Sequence, residues 1–387
     1  MSSRNLLSAA VSACVLSLFA FTAADAAQTG ASSLQMSETT AASGKILFNR
    51  SVSNPDGSVR SGSLFRVNAD GSGLQQLTPT KVGIYDTSPS WSPGGGQIVY
   101  ARLDADLDKY DLYLMNSRGQ GAHRLTSGAN DFHTPVWGPA GRIAFVSDHP
   151  GLFGLPESCV DVIRADGSHH QRDLFCPPNF GSRPTRVFEL AWSADGNSLY
   201  VDSGYPPLEG WFSATFKVDA RTGAVTESVS KSFDFRPSVS FAPDGSNAIY
   251  SGDFMITRID FASGQRTVLV DDQIYAGLYS RDGSKIAFTR RFFPTPDVHY
   301  DHLFVMNADG SNVRQLTKGE LDNLEYVAAD WSDDGKQLLV NRAIYSEDER
   351  GGRVNPRRAL RIVDVATKAI TPIRAGYAYH GAWFEPH

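Results

Sequence analysis

Cysteine is scarce in this 387-residue sequence: Cys14, Cys159 and Cys176 are the full set. Positive charge is also short. Lys and Arg number 36 against 42 Asp and Glu, a net charge of −6, which argues against nucleic acid as the main partner because phosphate binding needs a concentrated positive field. After the first 30 residues no stretch reaches 18 consecutive apolar residues, so no membrane span is expected in the mature protein. No uninterrupted helical pattern occurs, since Gly-containing turn signals recur roughly every ten residues. The nucleophile elbow G-x-S-x-G is absent as well. What remains is 35 glycines, 20 prolines, and 41% hydrophobic residues. That composition suits a soluble protein made of many tight turns.

The N-terminus reads as a targeting segment. Arg4 precedes an apolar run from Leu6 to Ala24, and Ala24-Asp25-Ala26 gives the small-residue cleavage pattern. Residues 1–26 are therefore expected to be a signal peptide and residues 27–43, small and polar, a flexible lead-in. A periplasmic or extracellular location follows. Loss of the signal removes Cys14 and leaves an even pair. Cys159 and Cys176 flank "VDVIRADGSHHQRDLF", a hairpin turning near Asp166-Gly167. Residues equidistant from such a turn face each other, so the two are candidates for a disulfide. The alternative is two small buried apolar residues.

The remainder is repetitive. "LFRVNADGSGLQQLT" from Leu64 and "LFVMNADGSNVRQLT" from Leu303 share ten of fifteen positions. A second pattern, an aromatic followed by a turn and an alternating strand, starts at Trp91, Trp137, Trp192, Phe241, Tyr279 and Trp331. The spacings are 46, 55, 49, 38 and 52 residues. Period-2 alternation in "QIVYAR" and "KIAFTR" marks strands, and Asp-Gly between alternating runs marks hairpins. Four strands per unit at this period predict a β-propeller. The first unit lacks its leading aromatic strand, and "YHGAWFEPH" from Tyr379 supplies it. The expected fold is all-β: a seven-bladed β-propeller of four-stranded antiparallel blades over residues 44–387, closed by the C-terminal strand.

The tryptophan-serine-turn-glycine hairpin followed by "NADGS…LT" resembles the repeats of the TolB-like β-propeller family. The resemblance runs from Gly44 to the end. It is most specific in Leu64–Thr78, Leu112–Thr126 and Leu303–Thr317. It implies a non-catalytic envelope propeller, but the TolB N-terminal domain has no counterpart here and TolB has six blades. Similar repeats precede the hydrolase domain of prolyl-oligopeptidase-type enzymes. The missing elbow and the short remainder of chain speak against that reading.

Short uniform turns share one face of such a disc, and long irregular connections share the other, where function is expected. Candidate ligand-binding residues there are His133, Tyr205, Trp211, Arg290, Arg291, His299, Tyr300, Arg357, Tyr379 and His380. Arg290, Arg291, Arg353, Arg357 and Arg358 suit an anionic ligand, or are neutralised by Glu347, Asp348 and Glu349. His133, His299, His302 and His380 suit a metal if they converge, or are ordinary polar loop residues. "DADLDKYD" from Asp104 lacks the calcium-loop glycine and glutamate. No metal, cofactor or catalytic residue is assigned. The expected protein is a monomeric, non-catalytic scaffold for an envelope protein or glycan. The alternative is a lyase acting on acidic polysaccharide at the channel mouth, with Arg neutralising the uronate and His or Tyr taking the α-proton.

Overall fold

The sequence alternates apolar and polar residues over short stretches bounded by Asp-Gly turns, and the chain follows that pattern into antiparallel strands. The computed structural model describes residues 44–53, 59–149, 157–179, 185–205, 211–233, 238–295, 298–318, 324–347, 353–375 and 383–384. The proposed signal, the lead-in, Tyr379 and His380 lie outside them, as do the side chains of Tyr205, Trp211, His299 and Arg357.

Five four-stranded antiparallel sheets follow one another along the chain, spanning 131–175, 186–233, 238–271, 274–315 and 324–375. The remaining sheet has eight strands in two antiparallel groups: 45–76 together with Trp383–Phe384, and 84–124. A single parallel pair, Gly62 with Tyr85, joins the groups. A Cβ on Gly62 would lie 2.1 Å from the Tyr85 ring, so glycine is what lets the two strands meet there. The architecture is a propeller-type repeat fold, as the repeats imply.

Each sheet buries both faces. Among the described residues, five of seven apolar clusters join sheets consecutive in the chain, and a sixth joins the two groups of the eight-stranded sheet. Val99 and Leu112 of the 84–124 group meet Phe132 and Phe145 of the next sheet. Ile249 and Ile256 meet Phe288 and Phe304. One cluster joins the two ends of the chain: Ile46 and Phe48 pack with Leu339, Leu360 and Trp383. The strand Trp383–Phe384 pairs antiparallel with Lys45–Ser53, Ile46 opposite Trp383.

The repeated motifs have local physical roles. In both "NADGS" copies the aspartate accepts from the serine amide two residues on, Asp70 from Ser72 at 2.8 Å and Asp309 from Ser311 at 2.9 Å. The glycine takes φ 83° or 90°, which glycine adopts without steric cost. The closing threonine accepts from the strand amide fourteen residues earlier. Thr78 takes Leu64, Thr126 takes Leu112 and Thr317 takes Leu303, each at 2.9 Å. The aromatic of the other motif reaches across to the neighbouring sheet: Trp192 Nε1 donates to Val136 O and Trp331 Nε1 to Leu278 O.

The hairpin across Cys159 and Cys176 forms as expected. Val160 pairs with Phe175, which sets the cysteines opposite each other, and they are joined in a disulfide. A cross-link closing a loop of this size stabilises a fold by about 3 kcal/mol.

Candidate functional site

The strand ends away from the Asp-Gly turns carry most of the buried charge. Three networks lie there. Asp86, fully buried, receives Arg102 through both nitrogens at 2.6 and 2.9 Å. Asp148 gathers Ser158 Oγ at 2.5 Å, Arg186 Nη2 at 3.0 Å and His133 Nε2 at 3.2 Å. Burial pushes the Asp148 carboxyl up, but the bonds from His133 and Ser158 and the Arg186 charge outweigh it and hold it below its ordinary value. The Thr134 hydroxyl meets His133 Nδ1 at 2.9 Å, so both ring nitrogens of His133 are engaged.

The third network is the hairpin of Lys285–Thr295 and Val298–Asn307. Here Phe288 faces Phe304, Arg290 faces His302, Arg291 faces Asp301 and Phe292 faces Tyr300. Residues two apart share a side of a strand, so Phe288, Arg290, Phe292, Tyr300, His302 and Phe304 form one ladder. Its rings stack: Phe288 on Phe304 at 5.5 Å, and Phe292 on Tyr300 at 5.8 Å. The Arg290 guanidinium lies over Phe292 at 5.0 Å and pairs with Asp272. Arg290 Nε is buried without a hydrogen-bond partner among the described residues.

The ladder outruns its neighbour. Asn247 and Lys285 both follow their Asp-Gly-Ser turn directly, which sets Gly252 level with Arg290. The adjacent strand ends at Gly252, whereas this one continues to Thr295, five residues past Arg290. Asp253 and Phe254 turn the shorter hairpin at φ 53° and 64°. Phe288 and Phe304 are consequently buried against the 238–271 sheet, while Phe292 and Tyr300 are half-exposed. The result is an aromatic ledge with an arginine at its root.

His302 sits within the ladder at 4% exposure, and its Nδ1 has no hydrogen-bond partner among the described residues. Burial pushes this imidazole below its ordinary value, against the pull of Asp301. A depressed folded pKa gives stability that is present above the unfolded value, about 6.5, and is lost as pH falls towards the folded value. Wild-type Tm is therefore expected to fall between neutral pH and pH of about 5 more steeply than that of His302→Gln. Parallel melting curves across that range would show the assignment wrong.

Of the residues named from sequence, Arg290 and Tyr300 meet on one ledge. Arg291 lies on the other side of the hairpin, closed by Asp301 at 2.7 and 2.8 Å and stacked on Tyr275. Asp272 pairs with Arg290 and Asp301 with Arg291; the side chains of Glu347, Asp348 and Glu349 lie outside the described residues. His133 belongs to the Asp148 network in another sheet. No local pattern marks Asp148, Arg186 or Asp272, whose partners His133, Asp148 and Arg290 lie 15, 38 and 18 residues away.

No family model matches the chain. A curated relative, the uncharacterized peptidase YuxL of Bacillus subtilis, is 25% identical over 184 residues, which cover 48% of this chain and 24% of that protein. The chain thus matches about a quarter of that relative's length. Among solved structures, the S511A mutant of puromycin hydrolase complexed with PGG superposes with a TM-score of 0.60 at 15% identity. The match covers 90% of this chain and 53% of that one. An oligogalacturonate lyase of Vibrio parahaemolyticus superposes with 0.54 at 14% identity, covering 86% and 87%. At these identities the structures establish the fold alone.

These findings correct the expected function. A non-catalytic scaffold for an envelope protein or glycan does not account for a peptidase as the relative found by sequence. The lyase alternative is weaker too, since it rests on fold likeness without a sequence relative.

Proposed function

We propose that this chain is a secreted, peptidase-related β-propeller, a ring of seven four-stranded blades closed by Trp383–Phe384, whose variable face admits and holds peptides for hydrolysis. The observation that carries this reading is the 25% identity with a peptidase over 184 residues. The contact pattern supports the ring: five apolar clusters join consecutive sheets, and the cluster of Ile46, Leu360 and Trp383 joins the last sheet to the first.

The aromatic ledge supplies a peptide-holding surface. Phe292 and Tyr300 present half-exposed rings on which apolar and aromatic side chains stack, and such anchors dominate binding energetics. The part-exposed Arg290 guanidinium, which pairs with Asp272, places positive charge at the root of the ledge for a peptide's terminal carboxylate. The direct test is calorimetric titration of the full chain with short peptides carrying an aromatic or apolar residue, alongside uronate oligomers. Saturable peptide binding with no uronate binding is expected. Uronate binding accompanied by a new unsaturated-product absorbance would favour the lyase and reject this reading.

A further inference from the structure

A different cluster lies on the far edge of the 131–175 sheet. His149, Cys159 and Asp173 place one donor atom each within 4.8 Å of one another. His149 Nε2 is 2.9 Å from Asp173 Oδ1. The fourth donor is Cys176, exposed and bonded to Cys159. We propose that this is a zinc site gated by the disulfide: oxidised, the two sulfurs bind each other; reduced, they bind Zn²⁺ together with His149 and Asp173.

Two cysteines, a histidine and a carboxylate form a donor set that zinc accepts in tetrahedral geometry. In such a centre ligand atoms stand about 3.5 Å apart, so His149, Cys159 and Asp173 need to close by about 1 Å, and Cys176 Sγ, outside that 4.8 Å group, by more. Chain geometry supports the convergence. Asp173 takes φ 51° while its amide is held by Asp161 Oδ1 at 2.9 Å. This left-handed residue sits in the irregular stretch of pairing between Val160 and Val162, and its carboxylate meets His149 across the sheet. Behind the imidazole, Asn130 Nδ2 is 3.4 Å from His149 Nδ1 and 3.1 Å from Ser147 Oγ. An Asn amide presents either a donor or an acceptor, so it can orient the ring in either tautomer.

The chemistry balances. A dithiol reductant gives two electrons and two protons to the Cys159–Cys176 bond and becomes a cyclic disulfide, leaving two thiols. Zinc then displaces both thiol protons. The His149 proton moves from Nε2, where it now faces Asp173, to Nδ1, where the Asn130 amide oxygen accepts it after a flip. Nε2 is then free to ligate. Cys159 is buried but Cys176 is exposed, so a reductant reaches the bond from the Cys176 side. The inference stands apart from the peptide reading and shares no residue with the ledge.

The test is zinc uptake by the full chain, as purified and after reduction with a dithiol and desalting under argon, measured by competition with a chromogenic chelator. Cobalt(II) substitution adds the visible bands of a tetrahedral thiolate centre. Reduced wild type is expected to bind one equivalent with near-ultraviolet circular dichroism retained, and oxidised protein none at the same free zinc. Reduced His149→Gln and Asp173→Asn are each expected to bind roughly tenfold or more weakly. The proposal is overturned if reduced wild type takes up no stoichiometric zinc. It is equally overturned if both variants bind as tightly as wild type, or if reduction abolishes the near-ultraviolet signal and zinc does not restore it.

Discussion

Replacing Asp330 with alanine is expected to destabilise the protein by about 3 kcal/mol, which lowers Tm by several degrees in a chain of this size. Asp330 Oδ2 accepts from the Trp383 amide at 2.9 Å and from Arg281 Nη2 at 3.0 Å, while Oδ1 accepts from the Trp331 amide at 2.8 Å. Arg281 in turn donates to the carbonyls of Trp383 at 2.7 Å and Trp331 at 3.1 Å. One ion pair thus fastens the last described strand to two sheets. Truncating the carboxylate strands a buried amide and loosens the arginine, and an unpaired buried group loses its full solvation. Asp330→Asn should cost less, because an amide oxygen still accepts from Trp383. The exposed turn residue Asp70 is the control, and Asp70→Ala is expected to shift stability by no more than about 0.5 kcal/mol. Deleting residues 383–387 should go further than either Asp330 change. It removes the fully buried Trp383 ring from its cluster and exposes the edge of Lys45–Ser53, a template for aggregation. Thermal melts and sedimentation report both effects. Equal stability of Asp330→Ala and wild type would mean that the proposed closure contributes little.

The second large effect is on binding. Phe292→Ala combined with Tyr300→Ala is expected to weaken peptide capture by about a hundredfold to a thousandfold, since central aromatic anchors each contribute about 2 kcal/mol or more to an interface. Tm should change less than with Asp330→Ala, because these outer rungs are half-exposed, Phe292 lying at the rim of a cluster whose buried rungs Phe288 and Phe304 stay in place. The matched internal control is Arg291→Gln, which breaks the Asp301 pair on the opposite side of the hairpin. It should lower stability while leaving peptide affinity closer to wild type. If Arg291→Gln abolished binding and the ladder variant did not, the binding surface would lie on the Arg291–Tyr275 side.

How much of this was legible in the sequence follows from the range of each interaction. "NADGS" and the closing "LT" act within one hairpin: Asp70 holds Ser72 and Thr78 holds Leu64. Local chemistry of that kind repeats in the letters, so strand content and the disulfide hairpin could be read directly. Asp330, Arg281 and Trp383 are joined over separations of 49, 53 and 102 residues. No local pattern marks the aspartate as different from the many that sit in turns. At the candidate site the sequence singled out Arg290 and Tyr300 as loop residues, yet the ledge exists because the preceding sheet stops at Gly252. That length difference is visible only once two hairpins are set in register. Function was the least legible part. The repeats that mark the fold carry no chemistry of their own, and the relative found by sequence matches less than half of the chain.

The most direct test of the peptide-handling proposal is calorimetric titration of the full chain with short aromatic-containing peptides, run in parallel on wild type and on the Phe292→Ala/Tyr300→Ala variant. Saturable binding by wild type, with affinity reduced by about a hundredfold or more in the folded variant, is the expected result. No binding by wild type, or the same affinity in both proteins, would contradict it.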